Sequence, residues 1–168
     1  NIINESFECF EFNPENKFEI VTASSNLILR HWCWYANESN VSPSQKDGKL
    51  LRSIKSGHKS NINVMKYDDS GTILATGSID GSVKIWDVVR GYCTHHFQHE
   101  GSITAVKFLF PEIVSGKRSQ NYNESSPPKL FAGTQEGNLT CWSLLSSSPL
   151  YHLNNHMSAV TSLSFAFD

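Results

Sequence analysis

Apolar and polar residues alternate in short runs along this chain, and most runs are closed by turn-forming residues. In SVKIW (82–86), Val83 and Ile85 share one face of an extended segment while Lys84 and Trp86 take the other. Turn chemistry sits at Asn13-Pro14-Glu15-Asn16, Asp68-Asp69-Ser70-Gly71, Asp80-Gly81 and Glu136-Gly137. Asp80-Gly81 reads as a two-residue hairpin loop between LATGS and SVKIW. No segment keeps a helical period over more than two turns, so the pattern predicts an all-β chain.

The pattern also repeats. His99 lies 41 residues after His58, and each is followed four residues later by an apolar strand residue, Ile62 and Ile103. His156 opens a third such segment, with Val160 at the same offset. Trp32, Trp86 and Trp142 each stand six residues after a polar, turn-compatible residue: Asn26, Asp80 and Glu136. A hairpin ending in Trp86-Asp87, with Gly57-His58 upstream, resembles one WD40 repeat, the four-stranded blade of a β-propeller. These anchors predict a first blade with strands at 6–12, 18–24, 27–34 and 49–54. A second uses 62–68, 72–78, 82–88 and 93–97, and a third 103–110, 129–134, 138–144 and 149–153. The first strand of a further blade is expected at 158–167. The blades divide the chain near 1–58, 59–99 and 100–156, with 157–168 left over, all within one propeller.

Two polar insertions, 35–48 and 115–128, break the period and are expected to be exposed loops, either padding or docking arms. Propellers typically need 4–8 blades to close, so about three blades and a strand form an incomplete segment. The chain starts at Asn1 without an initiator Met and stops inside a predicted strand, which reads as a fragment of a longer protein.

Composition narrows the function classes. The net charge of −2 comes from acids and bases spread along the chain, which gives no electrostatic footprint for nucleic acid. No apolar run is long enough for a membrane span, and no signal peptide is visible. Cys9, Cys33, Cys93 and Cys141 lack metal-type spacing and sit in predicted strands, as buried free thiols of a reducing compartment would. Five Asn-x-Ser/Thr sequons read as chance in a chain rich in Asn and Ser.

The candidate chemistry centres on His58, Thr76, Asp80 and Trp86. In WD40 repeats such residues form a structural tetrad in which Trp bonds a hydroxyl, the hydroxyl bonds His, and His bonds the turn Asp. A buried blade must pair these groups, since each unpaired one costs about 1–3 kcal/mol. The same residue types suggest a hydrolase triad, but the Trp consumes the hydroxyl and no oxyanion loop is evident. Ser78 shares a face with Thr76 and is the alternative hydroxyl. The set decays to His99, Ala132, Glu136 and Trp142 in the third blade, and to Thr22, Asn26 and Trp32 in the first.

His95-His96-x-x-His99 raises a metal reading, but His95 and His96 point to opposite strand faces and only Glu100 is near as a carboxylate. The aromatics Trp32, Trp34, Tyr35, Tyr92 and Phe97 fit packing between blades. Arg30, Arg90, Tyr92 and His95 are the candidate partner-binding side chains, with Arg30 and Arg90 expected to be exposed.

Four stretches resemble one family in particular: VVRGYCTHHF (88–97), VTASSNLILRHWCW (21–34), LATGSIDGSVKIWD (74–87) and HMSAVTSLSF (156–165). They are similar to the N-terminal propeller of the transducin beta-like protein three family, the small nucleolar RNA-associated WD-repeat proteins of the small-subunit processome. The resemblance implies two tandem propellers and a helical C-terminal domain in the whole protein. It implies a non-enzymatic scaffold in the nucleus and nucleolus, acting in precursor ribosomal RNA processing. The implied partners are other tandem WD-repeat proteins in a stable subcomplex, with precursor rRNA and small nucleolar RNP contacts. No cofactor, metal, membrane or small-molecule substrate is implied. Gln98 and Asn155 depart from the family at positions where Gly usually precedes the His. The competing reading is a generic WD40 adaptor, such as a ubiquitin-ligase substrate receptor or a signalling scaffold.

Overall fold

A computed structural model describes residues 5–34, 48–110, 127–146 and 148–165. Most of both predicted insertions, 35–47 and 115–126, lies outside them. Among the described residues twelve strands run in chain order: β1 (Phe7–Phe12), β2 (Glu19–Ser24), β3 (Ile28–Cys33), β4 (Lys49–Lys55), β5 (Ile62–Tyr67), β6 (Ile73–Ser78), β7 (Ser82–Asp87), β8 (Tyr92–Gln98), β9 (Ile103–Leu109), β10 (Lys129–Thr134), β11 (Leu139–Ser143) and β12 (Pro149–Leu153). They form three four-stranded antiparallel meanders, β1–β4, β5–β8 and β9–β12.

The three sheets repeat in register. Trp32 pairs with Ile20, Trp86 with Leu74 and Trp142 with Leu130. A bulge falls beside each tryptophan, between its strand and the outermost one. A second falls near the start of each innermost strand. An extra residue bends and twists a strand locally, so both bulges recur wherever the twist does.

The cores lie between sheets, not within them. Val21, Ala23 and Leu29 pack with Ile62, Met65, Leu74, Trp86 and Val88 to join the first sheet to the second. Ala75, Val83, Ile85 and Phe97 pack with Ile103, Val106, Leu130 and Trp142 to join the second to the third. Neighbours on one strand, Leu74 and Ala75, therefore serve opposite cores, as the two-residue strand period requires. Close approach is enforced at Gly77, where an added Cβ would lie 2.3 Å from the Ile103 side chain. At the matching Gly133 it would lie 2.5 Å from Val160.

Two expectations are corrected. The hairpin loop between β6 and β7 holds three residues, Ile79, Asp80 and Gly81, not two. Gly81 takes a φ of +77°, the left-handed residue that completes a three-residue loop. The strand expected at 158–167 is not one over its described part, 158–165. That segment lies against the third sheet, with Val160 N–H donating to Thr134 O at 3.0 Å and Thr104 Oγ1 donating to Val160 O at 2.7 Å. It has the apolar alternation of a strand but no ladder of backbone partners among the described residues, and the ladder defines a strand.

Candidate functional site

The second sheet holds the most complete polar network. The Trp86 indole N–H donates to Thr76 Oγ1 at 3.0 Å, and that hydroxyl meets His58 Nε2 at 2.8 Å. His58 Nδ1 meets Ser82 Oγ at 2.6 Å, and Ser82 Oγ donates to Asp80 Oδ1. All donors can run one way: indole to threonine, threonine to Nε2, Nδ1–H to serine, serine to carboxylate. That order makes His58 a neutral imidazole protonated on Nδ1. Burial pushes its pKa down to about 4, which agrees. Burial pushes the Asp80 carboxyl up. The Ser82 hydroxyl and the backbone N–H groups of Lys59 and Ser82 outweigh that and hold it at about 2.

The expected direct His–Asp contact is thus replaced by a relay. His58 Nδ1 and Asp80 Oδ1 stand 3.8 Å apart, and Ser82 fills the gap. Nothing in the sequence signals Ser82, since a serine after Asp-Gly reads as turn filler. Between the two candidate hydroxyls, Thr76 meets the histidine, while Ser78 donates to Ser60 O and accepts the Asp80 N–H. Thr76 is fully buried, so its oxygen has no solvent access for chemistry on a substrate.

The third sheet keeps the histidine and tryptophan but has Ala132 where the second has Thr76. His99 Nδ1 turns to the Glu100 carbonyl, and its buried Nε2 has no hydrogen-bond partner. Its ring stands edge-on to Trp142 at 6.1 Å and beside His152 at 5.5 Å. Glu136, at the position of Asp80, is exposed. Gln98, the departure before His99, donates to the Asp80 carbonyl at 3.0 Å.

The first sheet retains only Trp32 Nε1 donating to Thr22 Oγ1, at 3.0 Å. Asn26, at the turn position, donates to Glu5 at 2.7 Å. Arg30, expected to be exposed, is mostly buried and ion-paired to Glu5 at 2.7 Å. The Arg30 hydrogen bond holds the Glu5 carboxyl below its usual range. Glu5 lies 25 residues from Arg30, beyond any local pattern, and no spacing signals it.

The remaining partner candidates separate. Arg90 is 72% exposed along its side chain and pairs with Asp87 at 3.2 Å; Tyr92 is exposed as well. His95 instead bonds the Leu144 carbonyl of the third sheet at 2.8 Å and stacks on Phe97. Arg52 holds the equivalent place in the first sheet, pairing with His31 as His95 pairs with Ile85. Its guanidinium donates to Arg90 O at 2.8 Å and Val89 O at 3.1 Å in the second sheet. Both residues fasten an outermost strand to the next sheet's outer turn. All four cysteines are free, with Cys33 and Cys141 buried. Cys93 is exposed, contrary to expectation, because β8 is an outer edge strand. Among the described residues no three ligating side chains gather as a metal site would require, and no helix is long and apolar enough to cross a membrane.

Three repeated four-stranded meanders, cores between sheets and the Trp–Thr–His relay define a WD40-repeat β-propeller protein. The family described as "WD domain, G-beta repeat" matches residues 48–87, which hold β4–β7. Over 98% of its length it is similar to Transducin beta-like protein 3, at 33% identity to the protein of Bos taurus, of which it spans 18%. It is 42% identical over 64 residues, 38% of the chain, to U3 small nucleolar RNA-associated protein 13 of Saccharomyces cerevisiae, spanning 8% of that protein. The solved structure of RRP9 WD40 repeats superposes with a TM-score of 0.66 at 18% identity, over 94% of this chain and 41% of that one. The computationally designed Ika4 protein also gives 0.66, at 22% identity, over 96% of this chain and 81% of that one. Both structures share the fold.

Proposed function

We propose that this chain is part of a non-enzymatic scaffold subunit of the small-subunit processome, acting in precursor ribosomal RNA processing in the nucleolus. The observation that carries the proposal is the similarity over nearly the whole chain to Transducin beta-like protein 3, with a second relative associated by name with U3 small nucleolar RNA. The geometry supports scaffolding. The titratable groups that resemble catalytic machinery, His58 and Asp80, are consumed in a buried relay that pins a sheet. What remains exposed is a set of turns and edge strands held at fixed angles, and such surfaces bind other proteins.

Partners under this reading are other tandem WD-repeat proteins in a stable subcomplex, with precursor rRNA and small nucleolar RNP within reach. Affinity purification of the full-length protein is expected to retrieve processome subunits, and its depletion to leave unprocessed 18S precursor. Recovering neither removes this function and favours a general WD40 adaptor, leaving the fold untouched.

A further inference from the structure

Among the described residues β4, β8 and β12 are the outermost strands of their sheets, and their side chains differ sharply. β8 (YCTHHFQ) and β12 (PLYHL) contain no Lys, Arg, Asp or Glu. β4 (KLLRSIK) carries Lys49, Arg52 and Lys55 with no acid, and Leu50 and Leu51 are 44% and 41% exposed. The turn after β7 adds to this basic edge. Arg52 grips the carbonyls of Val89 and Arg90, and Asp87 Oδ1 accepts the Arg90 N–H at 2.7 Å. Gly91 takes a φ of +76°, and a Cβ there would meet the Arg52 guanidinium at 2.2 Å. The turn is therefore rigid, and it displays Val89, Arg90 and Tyr92 to solvent. Among the described residues the carboxylate of this turn, Asp87, is tied to Arg90.

Lysines on an edge strand discourage pairing with a like strand. They do not explain two exposed leucines beside them or a rigid arginine turn next to them. An unpaired edge offers backbone N–H and C=O groups to an added strand, and flanking side chains choose which strand is accepted. We propose that the outer edge of β4 accepts an extended acidic segment of a partner protein as a fifth strand. Its carboxylates would meet Lys49 and Arg90 on one face and Lys55 on the other, since the bulge beside Trp32 puts the two lysines on opposite faces, and its apolar residues would cover Leu50 and Leu51. This deepens the scaffold reading by naming a partner chemistry, but its test measures peptide binding alone and leaves processome association to be judged separately.

The test uses full-length protein and three fluorescent probes: a peptide repeating Glu-Glu-Val-Val, which carries carboxylates on both strand faces, its Lys-Lys-Val-Val counterpart, and single-stranded polyuridine. The glutamate peptide is expected to bind with an affinity that falls as salt rises, and to slow amide exchange across Lys49–Lys55. The double variant Lys49→Glu/Lys55→Glu should weaken it at least ~tenfold, and Arg90→Glu should weaken it less, with the unfolding midpoint of each variant unchanged. Equal affinity for the lysine peptide, no new protection of β4 amides, or an undiminished affinity in the double variant overturns the proposal. Tighter binding of polyuridine, lost in the same variants, also overturns it in favour of a nucleic-acid surface.

Discussion

The second and third sheets share strand order, register and bulges, yet their polar interiors differ, at one strand hydroxyl and at the turn that follows it. Thr76 lets an indole and an imidazole satisfy each other in the second sheet; Ala132 leaves His99 Nε2 without a partner in the third. The fold therefore tolerates loss of the relay, because the apolar cores between sheets remain. The relay adds local rigidity to a platform that hydrophobic packing already specifies.

The sharpest way to break the comparison is Thr76→Ala, which makes the second sheet resemble the third. It strands both the His58 nitrogen and the Trp86 N–H, so a local loss on the order of 4 kcal/mol is expected. Hydrogen exchange of the β6 and β7 amides in full-length protein would read it; unchanged protection would mean that the relay contributes nothing. Acid should act next. His58 has a folded pKa of about 4, below its unfolded value of 6.5, so the unfolded chain binds the proton more tightly. Its contribution is intact above pH 6.5 and declines as pH falls toward 4, by up to about 3 kcal/mol. The β6 and β7 amides should lose protection over that window in the parent, and His58→Phe should flatten the decline.

The comparison is sharpened in the other direction by Ala132→Thr. It offers His99 Nε2 a hydroxyl within a fold that already seats threonine at the matching place. A gain of about 1 kcal/mol is expected in the β10 and β11 amides, and a loss there would mean that the third sheet has repacked around alanine. The smallest effect concerns the first sheet. Leu27 adopts a φ of +59° at the position of Gly81. Leu27→Gly should relieve up to about 1 kcal/mol of strain, less the added freedom of the unfolded chain, measured as β2 and β3 protection.

Most of the architecture was legible in the sequence because indole, turn residue and histidine recur at one spacing. Observed strand bounds lie within about two residues of those the anchors predict. Thr76, Trp86, Thr22 and Trp32 were legible for the same reason. Ser82 was not, since its role depends on a 3.8 Å gap that only the folded turn creates. Arg30 looked free because its partner Glu5 precedes β1, far away in the chain and close in space. His95 looked available because sequence does not reveal that an outermost strand reaches the neighbouring sheet's turn. The segment 158–165 shows the limit of alternation as a signal: it predicts which side chains turn inward, not whether a backbone partner is present.

The placing of Leu74 and Ala75 in two different cores bears on how the chain matures during synthesis. As it leaves the ribosome, the middle sheet can complete its hydrogen-bond ladders once Gln98 has emerged, yet one flank stays wet until β9–β11 arrive. The middle sheet is thus sheltered on one face by its predecessor and on the other only by its successor. Over that interval Val83, Ile85 and Phe97 form a transient sticky surface, and the long polar stretch before β10 lengthens the wait.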